Sequence, residues 1–341
     1  MRMQKLNFRL VYLGISILIF FGSCDKGNLV DNLGDQNNRD IAIANVSGKN
    51  ATTIASLPVL GGKLVYHKYD CYGCSDTRIY IYNFATNALT WVSQYWNIDF
   101  PMNAHFNEDA SKIVFMGQPA GSGDWDIYIW TVGSTSAPVN LTAGNGKRDE
   151  DPKFSPNGYR IAFKQDNDLK IMETNGTITD VVTSTSSLEE GMPYYSDDAT
   201  QLIFAQGAGS ASDIYKINID GTGKTAIANA SGIQEYYPIV WGPTKYLYSR
   251  WYSTTNGHDQ VYMGYFSGAT PTRLPFNTTT ADYSDAFPCG TDHVILSSTK
   301  SGGSGGYDLY VANITTGDIY SLNSYNTGIN STLNELGACY K

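Results

Sequence analysis

Phe154-Ser-Pro-Asn-Gly-Tyr-Arg-Ile-Ala-Phe163, followed by Asp168-Leu-Lys-Ile-Met172, is the stretch on which the fold turns. Pro-Asn-Gly is hairpin chemistry, because Asn and Gly accept the positive φ or Asx geometry of a tight turn. On either side of it, apolar and polar residues alternate as in half-buried strands. The stretch predicts strands over 152–155, 159–164 and 169–173, with a fourth over 178–183.

The same unit recurs along the chain. Asp126-Ile-Tyr-Ile-Trp130, Asp168-Leu-Lys-Ile-Met172, Asp213-Ile-Tyr-Lys-Ile217 and Asp308-Leu-Tyr-Val-Ala312 share one pattern, with Arg78-Ile-Tyr-Ile-Tyr82 and Gln260-Val-Tyr-Met-Gly264 as variants. The starts at 78, 126, 168, 213, 260 and 308 lie 48, 42, 45, 47 and 48 residues apart. Ahead of each comes a short apolar strand, from Leu64-Val65-Tyr66 to Val294-Ile295-Leu296. Four of these strands follow an aromatic and a polar turn: Phe106-Asn-Glu-Asp, Phe154-Ser-Pro-Asn, Tyr195-Ser-Asp-Asp and Trp241-Gly-Pro-Thr. A four-stranded sheet of this size cannot bury both faces alone, whereas six packed radially can. A period in the forties is that of a propeller. No copy holds a sustained 3.6-residue apolar period, which excludes a helical solenoid. The expectation is all-β: a six-bladed β-propeller over 51–341. The first copy lacks its inner strand, and Leu333-Asn-Glu-Leu-Gly-Ala-Cys-Tyr340 supplies it, so that the C-terminal strand closes the ring. The repeated aspartates mark one backbone position per blade and read as turn- or hairpin-bonding groups.

Composition agrees with this reading. Charged residues are only 16%, while 34 Gly and 25 Tyr suit turns and pleated surfaces. A formal charge of −9 argues against nucleic-acid binding and against electrostatic adhesion to anionic lipid.

The Phe154 and Asp168 segments resemble the repeats of TolB-like propellers, a unit also present in propellers of prolyl oligopeptidase-type enzymes. The resemblance covers about residues 57 to 341 and implies the fold rather than a function. The segment between Cys24 and the first blade is expected to be too short for the α/β domain that precedes the propeller in TolB. No peptidase domain is expected after the sixth repeat.

At the amino terminus, Arg2, Lys5 and Arg9 precede an apolar run from Leu10 to Phe21. That run is too short to span a bilayer, so residues 1–23 read as a signal peptide. Phe21-Gly-Ser-Cys24 resembles a bacterial lipobox, which implies lipidation at Cys24 and attachment to the membrane by acyl chains. Residues 24–50, rich in Asn, Asp and Gly, are expected to form a flexible linker. The expected location is the bacterial outer membrane, facing the periplasm or the exterior.

Four further cysteines, Cys71, Cys74, Cys289 and Cys339, suggest disulfides in an exported protein, with three possible pairings. Propeller topology puts Cys71 and Cys74 in one loop and favours Cys71–Cys74 and Cys289–Cys339, the second across the closure seam. It separates the two pairs, which argues against a four-thiolate zinc site. The four histidines, His67, His105, His258 and His293, show no metal-ligand spacing. The Gly-rich stretch Ser301-Gly-Gly-Ser-Gly-Gly306 lacks the Lys and the following helix of a phosphate loop and reads as a loop between second and third strands, and no hydrolase domain is expected to hold a nucleophile elbow.

The richest chemistry is expected on the face formed by the loops between second and third strands, called the top. Connections leading into the inner strands carry Asp149, Glu150, Asp151, Glu189, Glu190, Glu235, Asp282, Asp285 and Glu335. Converging at the channel mouth, such acids would hold a cation such as Ca2+ or an amine-bearing partner. Tyr95, Trp96, Trp125, Tyr236, Tyr237, Trp251, Tyr252 and Tyr283 are expected beside them, as a platform for a glycan or a protein hot spot. The function expected from this is an envelope-anchored binding module for a protein or glycan partner, without catalytic residues. The alternative is a polysaccharide lyase or glycoside hydrolase at the channel mouth, which needs a suitably spaced carboxylate pair.

Overall fold

The computed structural model describes residues 56–71, 76–185, 188–207 and 211–341. The expected signal peptide, Cys24, the linker and Cys74 lie outside the described residues. Among those described, six four-stranded sheets form the blades, and the one helical turn is the 3-10 segment Leu322–Ser324.

Blade one holds β1 (Lys63–Tyr69), β2 (Arg78–Asn83) and β3 (Ala88–Trp91). Blade two runs β4 (Ile98–Phe106), β5 (Lys112–Pro119), β6 (Asp126–Thr131), β7 (Val139–Asn140). Blade three runs β8 (Asp149–Phe154), β9 (Arg160–Gln165), β10 (Asp168–Glu173), β11 (Ile178–Val181). Blade four runs β12 (Glu189–Tyr195), β13 (Gln201–Gly207), β14 (Ser212–Asn218), β15 (Thr225–Ala228). Blade five runs β16 (Glu235–Trp241), β17 (Lys245–Ser253), β18 (Asn256–Tyr265), β19 (Thr272–Arg273). Blade six runs β20 (Tyr283–Pro288), β21 (His293–Ser298), β22 (Asp308–Asn313), β23 (Ile319–Ser321). The last strand, β24 (Asn334–Tyr340), pairs antiparallel with β1 and is the inner strand of blade one. Closure by the C-terminal strand is therefore as the sequence predicts.

Strand alternation builds the core. On β5, Ile113 and Phe115 pack toward blade one, with Val65, Ile79 and Ile81. Val114 and Met116 pack toward blade three, with Phe154, Ile161 and Phe163. A period of two thus feeds both seams of a blade, which is why the second strands are buried on both faces. Six apolar clusters, one per seam, form the core.

The same alternation corrects one expectation. Cys289 and Cys339 are free, buried thiols and are not bridged. Cys289 packs in the seam between blades six and one, beside Ala338. Cys339, the next residue, points to the opposite face, among Val65, Ile79 and Phe106. Its Sγ accepts the Phe106 N–H at 3.4 Å. Cys71 is disulfide-bonded.

Three of the four repeated aspartates bond locally, as expected. Asp126 accepts Asn140 Nδ2 at 2.7 Å, the Asp168 carboxylate accepts the Thr185 N–H at 2.8 Å, and that of Asp308 accepts the Ser304 N–H at 2.6 Å.

Candidate functional site

Each inner strand carries a residue in the left-handed region at the same place in every blade, and β4 carries a second, Phe100 (φ 53°). The six at the shared place are Asn103 (φ 54°), Asp151 (54°), Met192 (55°), Tyr237 (48°), Asp285 (53°) and Gly337 (66°). At each, the pairing between first and second strand shifts register. Such a bulge re-aims a side chain, at about 1 kcal/mol or more of backbone strain for a non-glycine residue. These six residues form one tier of the channel. Two residues further on, where pairing has resumed, come His105, Lys153, Tyr194, Ile239, Phe287 and Cys339. Most of the two tiers enclose a chamber of about 50 Å³.

The chamber holds one ammonium group, two carboxyl groups and one imidazole, His105, with a second imidazole, His67, packed against its wall. Asp151 accepts Asn103 Nδ2 at 2.7 Å. Asp285 accepts the Ser284 hydroxyl at 3.1 Å and the Gly337 N–H. Burial pushes Asp285 up to about 6 and raises Asp151 as well. Burial also lowers Lys153, against the pull of Asp151, Cys339 and Asp285. His67 on β1 stands against this wall, its Nδ1 accepting the Asn103 N–H at 3.4 Å. Burial, with Lys153 adding to it, holds its pKa near about 3. His105 is pushed well below 6.5 by the same two causes, and its Nδ1 accepts the Phe154 N–H at 3.2 Å. Both rings are neutral near pH 7. The His105 proton therefore sits on Nε2, which is buried and has no hydrogen-bond partner.

Below the chamber the channel widens into a mouth of about 560 Å³, rimmed by all six blades. Its lining includes Glu108, Pro156, Asp197, Trp241, Pro288 and Lys341, from the turns between first and second strands and from the end of β24. Lys341 Nζ bonds Glu108 at 2.8 Å, and Lys245 Nζ stands 3.9 Å over the Trp241 ring. His105 and Phe287 line both chamber and mouth and mark the constriction between them. Sequence reasoning did not single out this site. The signal was present, since the polar turns that marked the repeat are the turns that rim it.

The predicted top-face residues are placed differently. Asp149, Glu190, Glu235 and Glu335 sit two residues ahead of the bulge in four blades and are buried in the seams. Asp149 accepts Asn145 Nδ2 at 2.7 Å and Gln165 Nε2 at 2.9 Å. Glu190 accepts the Thr185 hydroxyl at 2.9 Å, and Glu235 accepts the Ala230 N–H at 3.2 Å. Burial pushes Asp149 to about 6, and Glu235 and Glu335 to about 7. Glu150 and Glu189 share the Lys164 ammonium group, Glu150 at 3.1 Å. Asp282 accepts the Asp259 N–H and bonds His258 Nδ1 at 3.1 Å. The ring of solvated acids expected to hold a cation is thus not formed. Only Asp151 and Asp285 of the set face the channel chamber. Among the described residues no group of three His, Cys, Asp or Glu side chains is placed to hold a metal ion.

The aromatic platform is also dispersed. Trp96 stacks on Phe115 at 4.9 Å and leans on Trp130, inside a seam. Trp125 is buried under Arg148, and Tyr283 is buried against Thr278. Tyr236 meets Tyr237 edge-on at 5.4 Å and bonds the Asp259 carboxyl. Trp251 lies against Gly257 in the β17–β18 hairpin. Of the predicted aromatics, Tyr95 is 89% exposed and Tyr252 41%, the latter beneath Arg273.

The TolB beta propeller domain model matches residues 61–245, more than half the chain. Among solved structures, hydrazine synthase of Kuenenia stuttgartiensis superposes with a TM-score of 0.66 at 15% identity, covering 82% of this chain and 47% of that one. TolB of Acinetobacter baumannii gives 0.52 at 15%, covering 76% and 68%. A chain of a nidogen/laminin complex gives 0.56 at 9%, covering 82% and 98%. This chain therefore spans less than half the length of the hydrazine synthase chain. Identities this low report a shared fold. No curated protein sequence matches the chain. With six closed blades, the repeat and the family match in agreement, the chain belongs to the TolB β-propeller domain family.

Proposed function

We propose that this chain is a binding module of the bacterial envelope that takes an extended segment of a partner protein into the mouth beneath its channel. The signal-like amino terminus and the lipobox-like Cys24 support an outer-membrane lipoprotein, held on the membrane by acyl chains. The observation that carries the reading is the contrast between the two faces. The mouth at the first turns is an open recess of about 560 Å³, walled by Trp241 and Tyr340 and edged by Glu108, Asp197 and Lys341. That mixture of apolar wall and few polar groups is what a peptide segment needs. On the top face, the acids and most of the aromatics that would bind a glycan are committed to seams. Asp149, Glu190 and Glu235 are too buried to flank a sugar bond, so the same placement favours binding over polysaccharide cleavage.

Site-specific photo-crosslinking in the native envelope tests this. A benzophenone side chain at position 241 is expected to capture one defined envelope protein, identified by mass spectrometry, and one at position 95 is not. Capture of the same protein from position 95 and not from 241 would return the site to the top face.

A further inference from the structure

The hydrogen-bond account of the chamber above the mouth is unbalanced, and the imbalance has a direction. Its acceptors are served: Asp151 by Asn103, and Asp285 by Ser284 and the Gly337 N–H. Its donors are not. His105 is 5% exposed, and its Nε2–H has no partner. The partly buried Lys153 ammonium group carries three protons, and among the described residues it donates one of them, in a long 3.4 Å contact to the Pro152 carbonyl. A buried donor left unpaired keeps the full penalty of its desolvation, so a site with spare donors is completed by an acceptor.

From this we infer that the chamber is a carboxylate site, in which His105 Nε2–H and Lys153 Nζ receive the leading carboxylate of a ligand entering from the mouth. The identification of the ligand as a polypeptide end rests on the proposed use of that mouth; the carboxylate chemistry does not. His105 stands at the constriction between the two spaces, so the anionic end passes it before meeting Lys153. The chamber is small and walled by Ile239, Phe287 and Met192, which admits a singly charged planar group and disfavours a bulkier dianion such as phosphate. Charge-assisted bonds of this kind are roughly twice as strong as neutral ones.

Two acids stand nearby without closing the site to an anion. Asp285 retains its proton up to about pH 6, and an arriving carboxylate raises that further. Besides Asp285, the ionisable groups lining the chamber are Asp151, Lys153, His105, Tyr237 and Cys339, with His67 against Asn103 and Gly337 and Tyr194 against the His105 ring. The two imidazoles stay neutral, so affinity is expected to rise as pH falls from 7 toward 6.

Calorimetric titration of the full chain with acetate, triglycine and triglycine amide tests the assignment. Saturable binding of acetate and triglycine is expected, with the amide at least tenfold weaker. Lys153→Met is expected to weaken acetate at least tenfold while keeping the thermal melt of the parent, and His105→Phe serves as the second variant. Binding of the amide as tightly as the acid, acetate affinity unchanged in Lys153→Met, or binding of none of the three would overturn the inference. Acetate bound without triglycine would support the carboxylate site and assign it to a free small acid, with the mouth judged separately by crosslinking.

Discussion

The imidazole of His67 stands where a side chain at Gly337 would have to be: a Cβ there would lie 2.7 Å from both Cε1 and Nδ1 of the ring. Gly337 is the glycine of the six bulge positions, and its φ of 66° is strained for other residues. Gly337→Ala therefore meets a clash and a backbone penalty together, and should lower stability by about 1–3 kcal/mol. Urea denaturation read by tryptophan fluorescence measures it, and an unchanged midpoint would remove His67 from this account.

Ring closure makes the last strand structural. β24 buries Leu336, Ala338 and Cys339 and gives blade one its inner strand. Losing one buried leucine alone costs about 2–5 kcal/mol, against a total of about 5–15 kcal/mol for a typical domain. Deleting residues 334–341 should abolish the cooperative thermal transition, and calorimetry would show whether one survives.

Seam carboxyls set the pH response. Glu235 and Glu335 are raised to about 7 and Asp259 to about 8, each mainly by burial. For a carboxyl with a raised folded pKa, the folded state holds more protons than the unfolded one. Its contribution is complete below the unfolded pKa and is lost as pH rises through the folded value. His67 and His105, both lowered, act in the opposite sense below pH 6.5. Above that pH they are neutral in both states, so between pH 6.5 and 8 stability should fall with rising pH. Glu235→Gln should flatten that slope. A slope of the opposite sign in chemical denaturation at fixed pH would contradict the burial assigned to these acids.

The cysteines separate by accessibility. Burial raises the Cys289 thiol pKa and pushes Cys339 to about 11, so neither should react with iodoacetamide in the folded protein. After denaturation without reductant both should label, while Cys71 should not. Peptide mapping reads each site, and a Cys289–Cys339 peptide would restore the bridge that topology alone suggested.

What was legible in the sequence was local and periodic. Asn-Gly and Ser-Asp-Asp turns, two-residue alternation and the recurring Asp reveal a blade without reference to its neighbours, and counting copies gives the ring. The orientation of single residues was less legible. Asp149, Glu190 and Glu335 lie five residues before Phe154, Tyr195 and Tyr340, a constant offset that marks a structural position in the seam. Grouped as acids ahead of strands, they read as solvated loops. The bulge that fixes their direction falls on Asn103, Asp151 and Asp285, types that accept the left-handed region, but also on Met192 and Tyr237, which carry no such signature. Cys339 misled for a similar reason, since one residue along a strand reverses the face. The channel chamber depends on that bulge, so its residues could not be grouped before the register was known.

Hydroxyl-radical footprinting of the full chain, in its native envelope and after extraction, puts the two faces into direct competition. Trp241 and Tyr340 at the mouth should be shielded in the envelope and become reactive on extraction, while Tyr95, 89% exposed, reacts equally in both. Shielding of Tyr95 and Tyr252 with no change at Trp241 would place the partner on the opposite face and contradict the account.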